Sequence, residues 1–390
     1  MNDSKVRLRA LFPHYADAVG NNHVSLSLCE HMLSDRIDLT LMQPASDPEA
    51  RRPFTRDAVP RWLKKIVYRL RSAEAVNRYS EKAFLRSLRP GDVCYLWPGV
   101  TMPTYHRIKE RGHTLVLERI NCHTGTAKRI LDDAFARLKR PPRHNVTDAM
   151  VREEREQFEL ADFAYAPSPM VEASFQENGV PPQKVLPTSY GWEPERLRNP
   201  ARTLPAIDGL TVLFVGLMCV RKGTHLLLDA WARSGVKGRL VFAGPVDPEI
   251  PEICAEHLNR PDVVQLGYVK GIEGVFRSSD VFAFPTLEEG GPLVTYEAMA
   301  CRVPVLVSPM GAGRVARHER DGFVIDPYDG DAWVEALRRF AADRELREHL
   351  GKTAQERAAE FTWDRVGHQR AELLLKALNL PKGGRRKEEG

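Results

Sequence analysis

The chain has 390 residues, enough for two domains that each bury a core, and its 43% hydrophobic and 28% charged content is that of a globular protein. No apolar run approaches the length of a bilayer-spanning helix, and nothing near the N-terminus reads as a leader. The net charge of +5 permits an anionic substrate or lipid surface without requiring nucleic acid, and the six scattered cysteines lack metal-ligand spacing and read as reduced thiols.

In chain order, 6–12 reads as a first strand, followed by a polar loop at 15–22 and an amphipathic helix over 23–33. The segment 60–71 places Trp62, Leu63, Ile66, Val67 and Leu70 on one helical face with Arg61, Lys64, Lys65, Arg69 and Arg71 around it. That pattern fits an interfacial helix on anionic lipid, and it fits a helix packed on its own domain with a solvated rim. The packed helix is the expectation. Buried strands follow at 92–97 and 114–117, and the second runs into Glu118, Arg119, Ile120, Asn121, Cys122 and His123. His123 thereby follows a strand's C-terminal edge, where doubly wound sheets place ligands. A charged helix at 148–160, a strand within 161–166 and a segment rich in Pro, Arg and Asn at 194–206 complete the first half, the last reading as a linker.

The second half opens with a strand at 210–215, then Gly216 to Thr224 and a helix over 224–233. Lys222 precedes its glycine, so the order of a P-loop is not met. Arg221 and Lys222 stand just before a helix, where cations oppose the dipole unless an anion lies between. Strands at 240–244, 263–267 and 281–284, spaced by helices, predict a parallel sheet. The richest stretch is 280–308: an apolar strand, an acidic turn Glu288-Glu289-Gly290-Gly291, a short helix over 292–301 and a buried strand over 303–307. Pro292 suits a first helical position, and the two glycines let the backbone approach a ligand without a Cβ in the way. Free amides at the helix start favour an anion, whereas Glu288, Glu289 and Glu297 repel one. A ligand using both must be anionic in one part and rich in hydroxyls elsewhere, which describes a nucleotide sugar.

Three later signals compete or cap. Gly311, Gly313 and Ala316 meet G-x-G-x-x-A after a strand, with Asp326 beyond, the mark of an NAD-dependent oxidoreductase. Asp329-Gly330-Asp331 looks like a metal-binding pair but stands where a helix cap is needed. Helices are expected over 344–361 and 362–378, and the charged 381–390 reads as a disordered tail.

The stretch around Glu289 and Glu297, continuing through Ala298, Met299, Ala300, Cys301, Arg302, Val303 and Pro304, resembles the Glu-x7-Glu signature of glycosyltransferase family 4. These are retaining, nucleotide-sugar-dependent enzymes of GT-B fold. The resemblance implies an α/β GT-B architecture, two facing Rossmann-like doubly wound domains with a cleft between them. Residues 1–195 would form the acceptor-binding domain, 196–206 the linker, 207–361 the nucleotide-sugar domain, and 362–380 a helix crossing back. It gives catalytic roles to His123, Glu289, Lys222 and Arg221, with Glu289 on the donor sugar and the two cations on the diphosphate. Donor binding falls to Gly216, Gly290, Gly291, Leu293, Val294, Glu297 and Val269, with Glu297 on the ribose and Val269 near the base. Asn21, Asn22, Arg119 and Asn121 take the acceptor side. Four departures stand out: Gly291 to Val294 replace the family's aromatic-Gly-Leu-Pro, Leu217 stands at its arginine, Trp192 at its usual aspartate, and Gly20-Asn21 at its double glycine. The activity implied is transfer of a hexose from a nucleotide-diphosphate sugar to a glycan or lipid-linked hydroxyl, in polysaccharide or glycolipid biosynthesis. No metal and no cofactor beyond the donor are expected, the location is cytoplasmic, and peripheral attachment through 60–71 stays open. A non-catalytic nucleotide-sugar-binding module is a further alternative.

Overall fold

The computed structural model describes residues 5–199 and 201–379. In the first half, β1 (Val6–Leu11), β2 (Ile37–Gln43), β3 (Thr55–Asp57), β4 (Val93–Leu96), β5 (Thr114–Glu118), β6 (Phe163–Ala166) and β7 (Val185–Pro187) make one sheet in the order β3-β2-β1-β4-β5-β6-β7. Its helices are α1 (Gly20–Met32), α2 (Lys64–Leu70), α3 (Ala73–Ser87), α4 (Met102–Glu110), α5 (Thr124–Arg137), α6 (Asp148–Leu160) and α7 (Pro169–Glu177). The second sheet runs β10-β9-β8-β11-β12-β13, from β8 (Leu210–Val215), β9 (Gly238–Ala243), β10 (Val263–Gly267), β11 (Val281–Phe284), β12 (Val305–Val307) and β13 (Gly322–Val324). With it come α8 (Thr224–Ser234), α9 (Glu249–Leu258), α10 (Glu273–Arg277), α11 (Leu293–Ala300), α12 (Pro309–Ala312), α13 (Gly330–Ala342) and α14 (Arg344–Ala358), before the terminal α15 (Trp363–Ala377). Every strand pairing is parallel.

Parallel strands covered on both faces must be apolar throughout, and β11, Val-Phe-Ala-Phe, is buried at every position. Phe284 of β11 and Phe242 of β9 flank Phe214 of β8, with ring centroids 5.5 and 5.3 Å from it, so three adjacent strands lock through one aromatic row. Helix starts follow local chemistry: Ser72, Thr147, Ser168, Ser308, Asp329 and Asp343 each accept a backbone N–H as caps. Asp329 of the metal-like Asp-Gly-Asp is thus a cap of α13, as expected. The helix after the acidic turn begins one residue later than predicted. Pro292 is extended, with ψ 107°, and forms the cap rather than the first turn of α11, while the strand after it shortens to β12. The predicted tail at 381–390 lies outside the described residues.

Each sheet reverses its winding once, between β1 and β4 and between β8 and β11, and a doubly wound sheet opens its ligand crevice beyond the strand ends at such a point. The chain passes between the halves twice at adjacent places. Trp192 N–H donates to Phe361 O at 3.0 Å and Trp363 N–H to Trp192 O at 3.2 Å, while the Trp192 indole N–H reaches Ala358 O at 2.7 Å. A Cβ on Gly191 would stand 2.8 Å from Phe361 O, so the close approach needs glycine. This accounts for Trp192 where the resemblance predicts aspartate: it braces the crossing. Helix α15 then returns onto the first domain. Arg370, fully buried, donates to Glu118 Oε2 at 2.7 Å and to Ser189 O at 3.0 Å, and Glu118 also accepts from Tyr190 at 2.9 Å and from Tyr95. Sequence reading found neither partner of this pair.

The packed helix expected over 60–71 is corrected. The segment forms a 3-10 turn (Arg61–Leu63) and α2, with no buried residue: Lys64 and Tyr68 face the domain, Leu63 and Val67 are half-buried beside α3, and Trp62, Ile66 and Leu70 lie in solvent next to them.

Candidate functional site

The second sheet's switch point is flanked by the loop after β8 and the loop after β11, which carry the cations and the acids. Gly216 ends β8 at φ 136° and Gly223 caps α8 at φ 68°, where a Cβ would lie 2.1 Å from Pro285 O. Only glycine allows the two loops so close. They are stitched together by Leu287 N–H donating to Arg221 O at 2.9 Å. From below, Glu249 accepts Val220 N–H at 2.7 Å and Thr224 Oγ1 accepts Cys219 N–H at 3.1 Å, so the cation-bearing turn is held in shape before any ligand arrives.

The charged groups meet there. Lys222 Nζ contacts Glu289 Oε1 directly and lies over the Phe284 ring, 5.0 Å from its centroid. One Arg221 nitrogen reaches Glu288 O at 3.1 Å, Glu288 Oε2 at 3.2 Å and Glu289 Oε1 at 3.4 Å. Glu288 and Glu289 are 2% and 8% exposed, so these are largely desolvated charges that need one another. Burial first, then the Arg221 guanidinium, pull Lys222 below the ordinary lysine range, while Glu288 acts the other way.

The first domain closes over this group. A Cβ on Gly290 would stand 2.0 Å from Ile120 O, and one on Gly291 2.8 Å from the Tyr190 ring, so both glycines serve an interdomain seam. Cys122 Sγ lies 3.6 Å from Glu288 Oε1 across it. Glu297, one turn into α11, is half-buried, and its carboxylate has no hydrogen bond or ion pair among the described residues. Burial drives its carboxyl up to about 7, with Arg196 opposing. Leu293 and Val294 form the half-buried first turn of α11 beside the glycines, and Val269 lies half-buried past β10 at the sheet's far edge.

Other expectations fare differently. His123 is 1% exposed. Its Nδ1 accepts Gly125 N–H at 3.0 Å as the cap of α5, and its ring stacks on Phe158 with centroids 5.5 Å apart. Burial lowers its pKa, against the pull of Glu154. The ring thus serves its own turn and packs on α6. Arg119 likewise turns away from the cleft, donating to Gln157 at 2.7 Å and lying over Phe158 at 4.9 Å. Asn22 is buried and accepts Ala18 N–H at 2.8 Å, which holds Ala18 at φ 60°. Asn21 and Asn121 are exposed, Asn121 at the seam beside Gly290 and Asn21 on the first turn of α1. The sequence reading missed His14, an exposed side chain at the first sheet's switch point. A Cβ on Gly99, after β4 and at φ 99°, would meet its Nε2 at 2.7 Å. The available signal was a histidine placed directly after the first strand, in a loop at the sheet's C-terminal edge.

The oxidoreductase alternative fails on local structure. Gly311 lies in the four-residue α12, and a Cβ there would stand 2.6 Å from Phe284 O. No long helix opens after Gly313, and the Asp326 carboxylate is spent on Tyr328 N–H at 2.8 Å. A dinucleotide turn needs a helix N-terminus at that place.

Residues 198–357 match the family model described as Glycosyl transferases group 1. The chain is 29% identical over 226 residues to a D-inositol 3-phosphate glycosyltransferase of Saccharomonospora viridis, covering 52% of each chain. It is 28% identical over 181 residues to an uncharacterised glycosyltransferase of Methanocaldococcus jannaschii, covering 44% of this chain and 46% of that one. The chain thus spans about half the length of the curated relatives it matches. Among solved structures it resembles sucrose-phosphate synthase of Thermosynechococcus elongatus, with a TM-score of 0.71 at 19% identity over 96% of this chain and 100% of that one. It also resembles HepE of Anabaena in complex with UDP-glucose, with a TM-score of 0.68 at 15% identity over 95% and 99% of the two chains. The fold is GT-B, as the sequence predicts, and its second half matches the glycosyl transferases group 1 model.

Proposed function

We propose that this chain is a retaining glycosyltransferase of family 4 type that moves a hexose from a nucleotide-diphosphate sugar to an acceptor hydroxyl, in the assembly of a glycan, polysaccharide or glycolipid. The observation that carries this reading is the contact of Lys222 and Arg221 with Glu289 and Glu288 at the interdomain seam. A ligand must satisfy both signs of charge there. The diphosphate displaces the carboxylates from the two cations, and Glu289, so released, accepts hydroxyls of the sugar. Glu297 accepts the ribose hydroxyls. Arg221 replaces the cation missing at Leu217 and shares with Lys222 the charge that grows on the departing diphosphate, a duty this reading gives to side chains rather than to a metal ion. The acceptor enters from the first domain between His14, Asn21 and Asn121, and a diphosphate oxygen takes its proton on the side the leaving group vacates. HepE, which shares the fold, is a complex with UDP-glucose, and this supports a nucleotide-sugar donor.

A nucleotide-sugar panel read by released diphosphate tests this. The expected result is turnover with one donor, an anomeric product configuration equal to the donor's, and its loss in Glu297→Ala and Lys222→Ala. Binding of a nucleoside diphosphate without turnover on any acceptor would instead leave a binding module.

A further inference from the structure

Residues 58–73 hold five basic side chains, Arg61, Lys64, Lys65, Arg69 and Arg71, and no acidic one. Their fold sorts them into two sides. On the inner side Lys64 donates to Asp47 Oδ1 and Ser46 O, both at 2.9 Å, and lies over the Tyr15 ring at 4.6 Å. Tyr68 meets Tyr15 edge-on at 5.4 Å. These contacts moor α2 to the loops after β1 and β2, at the rim of the cleft on the acceptor side. On the outer side Trp62, Ile66 and Leu70, spaced by four and therefore one stripe, are 76%, 52% and 72% exposed. Arg61, Lys65 and Arg69 run alongside them, all exposed. A groove of about 520 Å³ opens between α2 and α3, floored by Leu63, Val67 and Val76 and edged by Arg71 and Lys82, with Arg78 there paired to Glu74 at 2.8 Å.

We propose that this face docks on an anionic lipid bilayer, with the Trp62, Ile66 and Leu70 stripe entering the headgroup boundary, the cations on phosphates, and the groove receiving an acyl chain. Three large apolar side chains left in water beside cations, with no acid among them, match the interfacial helix in chemistry and in charge. A second copy is disfavoured as occupant, because an isologous contact would press two basic rims together. That docking turns the acceptor side of the cleft toward lipid-borne hydroxyls rests on the transfer reading above; the docking itself does not.

Co-flotation without donor, on phosphatidylcholine vesicles with and without phosphatidylglycerol, tests it. The expected result is flotation only with phosphatidylglycerol, weakened by salt, and lost in Trp62→Ala/Leu70→Ala. Neutralising Arg61, Lys65 or Arg69 with Gln should weaken partitioning about fivefold each. Of the six tryptophans, four are buried and Trp192 half-buried, so a blue shift of emission on anionic vesicles that vanishes in Trp62→Phe reports the insertion itself. Equal flotation on both vesicle types, none on either, or a lipid-free dimer that Trp62→Ala breaks would overturn it. Because these side chains lie outside the donor site, diphosphate release with a soluble acceptor should stay unchanged in every variant. Flotation with no turnover on any donor would therefore sink the transfer reading alone.

Discussion

Lys222 is the side chain on which most of the proposed chemistry converges, since it touches Glu289, lies over Phe284 and is flanked by Arg221. Removing a preorganised cation from developing negative charge costs about 10²–10³ in rate, so Lys222→Ala should lower kcat by that order in a diphosphate-release assay. Glu297 makes a separate pH prediction. With its carboxyl raised to about 7 by burial, it is protonated on the acid side and there a weaker acceptor for the two ribose hydroxyls. The donor KM should fall as pH rises through about 7, and Glu297→Gln should flatten that slope in steady-state titrations. The same raised value gives Glu297 a contribution to stability that is full below about 4.5 and is lost as pH climbs from there through about 7, and the same variant should remove that component from thermal melts. Lys222 and the acidic pair were legible because each sits directly after a strand in a loop whose glycines announce close approach. The orientations of His123 and Asn22 were not, since a short polar side chain can equally satisfy its own turn. What decides for His123 is Phe158 and Glu154, more than a helix away in sequence.

Among the elements, the loop between β11 and α11 is built to meet the other domain. Alanine at Gly290 would place its Cβ 2.0 Å from Ile120 O, so the seam would have to part. Since a displacement of about 1 Å at a reacting centre can cost about 10²-fold, Gly290→Ala should lower kcat/KM by that order with little change in melting temperature. Helix α15 answers to a different constraint. Arg370→Met would leave the Glu118 carboxylate buried beside two tyrosine hydroxyls without its countercharge, a change that typically costs ~3–5 kcal/mol, to be read by denaturant unfolding. The helices, strands and winding order were readable from apolar runs and caps. This pair was not, because its members are 252 positions apart and neither carries a local signature. The misjudged segment is α2, whose apolar and basic residues fit burial and exposure equally well until its neighbours are known.

At the scale of the molecule, the halves are joined by more than the seam. Arg314 of the second domain pairs with Glu172 of α7 and donates to Thr188 O, and at another point Arg140 and Arg143 reach Glu252 of α9 at 3.2 and 2.7 Å. The Arg140, Arg143 and Glu252 group is largely solvent-accessible and such pairs contribute little each, so raising ionic strength should loosen closure without unfolding either half. Small-angle scattering across a salt series should show the radius growing while the melting temperature holds. The adjacent strands of chain at Trp192 and Phe361 set the geometry of any such opening. A body tethered at two neighbouring points tilts about the line joining them and resists rotation about the tether itself. Under the proposed transfer, a sugar carried on one half would meet the other half along a repeatable arc, with the same face offered to the incoming hydroxyl at each closure.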